Sequence, residues 1–205
     1  MKALASVTCF VLLCASTFAL AHAAGGAHWG KPVAPAVPGA SGYFDIPGAA
    51  VMPQKTRQYR AVFDATRFAA PGELVPALDM AGSELNLLQA TGVPLAQARF
   101  VVVFHGPAVD GILDDAHYRA KHHVANPNLA VIRDLRKAGV RLFVCGQHLA
   151  ASNIDPATLT PDVTVASDAL IVNDGVVEMN LRRIIADRRQ VFAKSETIRF
   201  ARLGH

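Results

Sequence analysis

Cysteine is scarce in this 205-residue chain, and two of the three, Cys9 and Cys14, fall within a short apolar stretch at the amino-terminal end. If that stretch is removed, only Cys145 remains, and one cysteine cannot form a disulfide within its own chain. A disulfide-stapled fold is thereby excluded. Charged residues are 18% of the chain against 52% hydrophobic ones, a balance that excludes disordered, collagen-like and coiled-coil classes. Aromatic residues are few, at 7%, and none is interleaved with the arginines near the carboxyl end, so a nucleic-acid surface is not expected. The chain has no Gly-x-Gly-x-x-Gly, phosphate loop, Gly-x-Ser-x-Gly or His-Glu-x-x-His, so nothing points to nucleotide, serine-hydrolase or metalloprotease chemistry. No cofactor is expected. Internal repeats and a second domain are also missing.

At the start, Lys2 precedes a mostly apolar run from Leu4 to Leu20, followed by Ala21-His22-Ala23. A positive start, a short apolar core and a small-x-small end form a secretory signal, expected over residues 1–23, and they imply an exported, periplasmic protein. The run is too short for a spanning helix and has no charged stop, so no transmembrane segment is expected after its removal. Residues 24–55 carry prolines at 32, 35, 38, 47 and 53 and read as an extended lead-in, with Trp29, Tyr43 and Phe44 available to pin it. An α/β domain is expected over 56–190 and a tail over 191–205. The net charge is +4, and Arg182, Arg183, Arg188, Arg189, Lys194, Arg199 and Arg202 gather late, as on a solvated helix face.

Tyr59 to Thr66 alternates as a strand does, with Asp64 near its end. Leu74, Leu78, Ala81, Leu85 and Leu88 recur at helical spacing, and Gly92 and Pro94 end that helix. Arg99 to Phe104 is a continuous apolar run, the pattern of a central strand covered on both faces. Residues 108–125 are less regular, with one helical turn around Val109 to Leu113 and another from Tyr118. His117, His122 and His123, in the same region, read as surface residues. Asn126-Pro127-Asn128 starts a helix, with Asn126 as cap, that Gly139 ends. Val140 to Val144 is a strand, followed by Cys145 and a short helix to about Ser152, and Val163 to Ala166 is a fourth strand. From Ser167 the chain reads either as one helix or as a hairpin around Asn173-Asp-Gly175. Alternating strands and helices imply a single Rossmann-like domain, with a mostly parallel sheet and helices on both faces.

In such a sheet, chemistry gathers at the carboxyl ends of the strands. His105 closes one strand and Cys145 the next, and consecutive parallel strands are commonly neighbours. The thiol is then buried and inert, paired between chains, or reactive. A nearby imidazolium or helix start would favour its thiolate. The amides of Gly146 and Gln147 could face an anionic group. His105 could instead be a turn histidine satisfied by main chain. Cys145, His148 and His105 could also hold a metal, although one cysteine and scattered histidines are a weak metal signal.

Leu85-Asn-Leu-Leu88 with Gly92-Val-Pro94, Val101-Val-Val-Phe-His-Gly106, Asn126-Pro-Asn128 and Gly139-Val…Val144-Cys-Gly-Gln147 together resemble the DsrE/DsrF-like family, in its exported, single-cysteine branch. The resemblance covers roughly Arg57 to Val172. It implies a compact Rossmann-like fold and a homo-oligomer, a dimer, trimer or hexamer. It also implies sulfane sulfur carried as a persulfide, which places Cys145 and His105 as the chemical residues and Gly106, Gly146, Gln147 and His148 around the ligand. The activity implied is that of a sulfurtransferase-like sulfur carrier, and the partner a sulfur donor or acceptor protein or a small thiol. The alternatives are a metal- or ligand-binding module without turnover and a structural subunit of an oligomer.

Overall fold

The computed structural model describes residues 29–172. The expected signal, the hairpin residues from Asn173 onward, the arginine-rich run and the tail lie outside the described residues. Four strands form one sheet: β1 (Tyr59–Ala65), β2 (Ala98–Phe104), β3 (Arg141–Cys145) and β4 (Thr164–Ala166). They lie in the order β1-β2-β3-β4, and every pair is parallel. Between them come α1 (Pro76–Ala90), α2 (Asp115–His122), α3 (Asn128–Lys137) and α4 (Gly146–Ala151). The chain is thus an α/β protein with the parallel sheet that its alternating pattern implies.

The order of the strands decides where the helices go. Parallel crossovers are right-handed, and each step here moves the same way across the sheet. The crossover helices therefore fall on one face. Leu78, Leu85 and Leu88 of α1, Val131, Ile132 and Leu135 of α3, and Leu149 of α4 form one core with Phe63, Phe100, Val102, Phe104, Leu142 and Val144 of the strands. Alternate strand residues point the other way. On that second face Val101, Val103 and Cys145 meet Ala169, with Val62, Phe143 and Val172 partly buried beside them.

Residues 169–172 are helical, and the Asp168 side chain accepts from the Leu170 N–H at 2.6 Å. Of the two readings after Ser167, the described residues follow the helical one, and they give the second face its helical cover. Among the described residues that cover is the smaller of the two.

The lead-in is fastened down, but not by its aromatic residues. Trp29 and Phe44 are exposed, whereas Val37 and Ala40 are buried in the main core. Small side chains dock here because Gly82 of α1 leaves room: a Cβ at that position would collide with Ala40. Asn86, buried inside α1, clamps the same segment. Its Oδ1 accepts from the Ala36 and Val37 N–H groups at 2.9 and 2.8 Å, and its Nδ2 donates to the Val37 and Ser41 carbonyls.

Two details of the middle region sharpen the sequence reading. The Asn126 side chain accepts from the Asn128 N–H at 2.9 Å, and Pro127 already has helical dihedrals, so the expected cap is present. His122 is not a surface residue. It is stacked on Phe68 at 5.1 Å and tilted against Tyr118 at 4.6 Å, while its Nε2 lies 3.3 Å from Asp110. His117 is exposed and His123 takes a left-handed backbone that closes α2.

Candidate functional site

Valine-rich β2 and β3 pair from Val101 with Arg141 to Phe104 with Val144. One further step along both chains brings His105 opposite Cys145. By parity both belong to the second face, with Val103 and Phe143. The His105 N–H continues the ladder, donating to the Ala65 carbonyl at 3.0 Å, and its backbone is extended. The two residues singled out for chemistry thus stand at the ends of neighbouring strands.

Cys145 is the last residue of β3 and stands immediately before the first turn of α4. Its thiol is more covered than a position on a sheet rim implies, with 6% exposure and Val101, Val103 and Ala169 packed around it. The cover comes from beyond β4, where the chain turns back over the sheet. β4 also explains Gly146. A side chain there would come within 2.8 Å of the Ala166 carbonyl oxygen, so only glycine lets β4 run so close to the start of α4.

Gly106 has φ +58°, a left-handed turn that takes the chain away from β2 directly after His105. The geometry thus gives both glycines backbone roles at the strand ends. Gln147 is exposed and His148 half-buried on α4, and neither side chain makes a hydrogen bond among the described residues.

The His105 ring turns toward β1. Its Nε2 lies 2.7 Å from Oδ1 of Asp64, with the imidazole side chain 34% and the carboxylate 50% exposed. Asp64 stands opposite Val103 in the register, two residues short of His105 and on the same face. A cavity of about 150 Å³ opens beside it, lined by Asp64, Thr66, Arg67, Pro76, Ala77 and Met80. Sequence reading placed Asp64 at a strand end but gave it no role. The two residues are 41 positions apart, and only the pairing of β1 with β2 joins them.

The metal arrangement of Cys145, His148 and His105 finds no support in these positions. Among the described residues, no group of three or more His, Cys, Asp or Glu side chains is placed to hold an ion. Likewise, among the described residues no helix is long and apolar enough to cross a membrane.

Comparison with known proteins adds two findings. The model of the DsrE/DsrF-like family matches residues 62–179, more than half of the chain. A solved structure, that of a protein of unknown function from Methanobacterium thermoautotrophicum, is similar at 21% identity and a TM-score of 0.36. The match covers 63% of this chain and 95% of that one. No curated protein matches.

Proposed function

The chain belongs to the DsrE/DsrF-like family, and from that premise we propose that it handles sulfane sulfur through a persulfide on Cys145. The observation that supports this reading is the parallel pairing of β2 with β3, whose carboxyl ends lead directly into His105 and Cys145. Membership links the chain to sulfur relay, and the lone thiol of the described residues is the group able to carry sulfur.

The transfer balances without an external oxidant. His105 takes the thiol proton, and the Cys145 thiolate attacks the outer sulfur of a donor persulfide. One S–S bond forms as the donor's S–S bond breaks, and the donor leaves as a thiolate that recovers the proton. Thiosulfate reacts in the same way and leaves as sulfite. Passing the sulfur to an acceptor thiol reverses the steps. The roof formed by Ala169 and Val172 must lift for the sulfur to be reached. That roof is the start of the helix after β4, and local opening there would expose the sulfur. Gly106 and Gly146 shape the rim on either side, and Gln147 and His148 are the side chains nearest in sequence to a sulfur compound entering there.

We further propose that the protein is exported to the periplasm, works as a homo-oligomer, and exchanges sulfur with a donor or acceptor protein or a small thiol. The test is direct. Folded protein is exposed to thiosulfate or a small-molecule persulfide and examined by intact and peptide mass spectrometry. A gain of one sulfur at Cys145, reversed by dithiothreitol and missing in Cys145→Ser, is expected. A folded protein that takes up no sulfur, and whose thiol resists alkylation until denatured, would falsify the reading.

A further inference from the structure

We propose that Asp64 is a positioning residue for His105, fixing which ring nitrogen is free to exchange a proton at the Cys145 end of the sheet. This inference rests on the sulfur-handling reading and adds a residue to it. A carboxylate can only accept, so in the neutral ring the proton must sit on Nε2, the nitrogen 2.7 Å from Asp64 Oδ1. Nδ1 is left with its lone pair. No hydrogen bond to Nδ1 occurs among the described residues, so it is the nitrogen left to exchange a proton.

The placement is not accidental to the fold. Asp64 and His105 share a sheet face, and β2 is hydrogen-bonded on one side to the strand of Asp64 and on the other to the strand of Cys145. The imidazole is therefore held from one side while its register partner lies on the other.

Stability gives no alternative reason for the pair. Its two groups are 34% and 50% exposed, and ion pairs with that much solvent contribute little to folding. What the carboxylate does supply is a fixed tautomer and ring orientation, the service that a buried aspartate gives the histidine of a serine-protease triad. Nor does the core need Asp64. The neighbouring residues on its strand, Phe63 and Ala65, face the helices and pack there, while Asp64 is exposed.

The full chain is compared as wild type, Asp64→Asn, Asp64→Glu and His105→Gln. Imidazole ¹⁵N shifts report the His105 tautomer, and sulfur uptake and alkylation of Cys145 at neutral pH report the consequence. In wild type the Nε2-protonated form should dominate. Asp64→Asn should give a mixture of tautomers and slow sulfur uptake by about tenfold or more, because proton transfer by a positioned side chain is worth that and beyond. Asp64→Glu should restore most of the rate, and the melting temperature should barely move in any of them.

An Asp64→Asn protein with wild-type tautomer and wild-type rate, beside a slowed His105→Gln, overturns the positioning role alone. A wild type that takes up no sulfur overturns the functional reading first and the role with it. The two failures are therefore distinct.

Discussion

Phe100, Val102 and Phe104 of β2 belong to the core that also holds residues of α1, α3 and the lead-in strap. The valines between them, Val101 and Val103, cluster among the described residues with Cys145, Ala169 and the partly buried Val62, Phe143 and Val172. One strand thus serves two very different interiors by parity alone. Both sets are buried, which is why the strand reads as a continuous apolar run. The difference lies in which elements stand behind each. The first face is closed by long elements whose removal would dismantle the domain. Among the described residues the second is met by Ala169 and Val172, and exposed Leu170 and Ile171 stand beside them. A reactive group on the first face would be sealed beneath those helices; Cys145 lies on the second.

That contrast can be broken at its strongest point first. Leu85→Ala, at a fully buried site under the first face, should cost about 2–5 kcal/mol in denaturant unfolding and leave Cys145 alkylation in the native state unchanged. A cost below about 1 kcal/mol would mean that the first face is not the structural one. Val103→Ala, equally buried but on the second face, loses two methylene-sized groups. It should cost about 1–2 kcal/mol while speeding alkylation of Cys145, because the packing around the sulfur loosens. Equal effects of the two variants on alkylation would erase the distinction.

The smallest effect belongs to neither face. The His117 N–H, and then the His117 ring, hold the Asp114 carboxyl below its ordinary pKa, and the Arg119 guanidinium does the same for Asp115, helped by the Asn126 N–H. A lowered native value stabilises the fold above the unfolded-state pKa, and that contribution is lost as pH falls from about 4 downward. Acid titration of the melting temperature should show a shallow decline there, flatter in Asp114→Asn. Both carboxyls are solvent-exposed, so a steep decline would point to other groups.

Much of this architecture was legible in the residues. The spacing of Leu78, Ala81, Leu85 and Leu88 gave α1, and the valines gave β2, because local periodicity and burial agree there. The strand-end positions of His105 and Cys145 followed from the same pattern. Three things did not. Asn86 sits at a helical position beside leucines, and nothing local says that its amide clamps a segment about fifty residues upstream. Aromatic residues looked like the natural pins of the lead-in, yet Val37 and Ala40 dock because Gly82 makes a recess, a fit that exists only between distant parts of the chain. Asp64 and His105 meet through strand order, which hydrophobic spacing does not encode. What failed to show was in each case a contact across the fold rather than along it.

The clamp at Asn86 also gives the molecule a back and a front. The strap is tied down on α1, behind the sheet, while the thiol lies before it. A tether, tag or solid support joined upstream of residue 29 would hold the protein by its back. The face that bears the Cys145 thiol would then be turned outward.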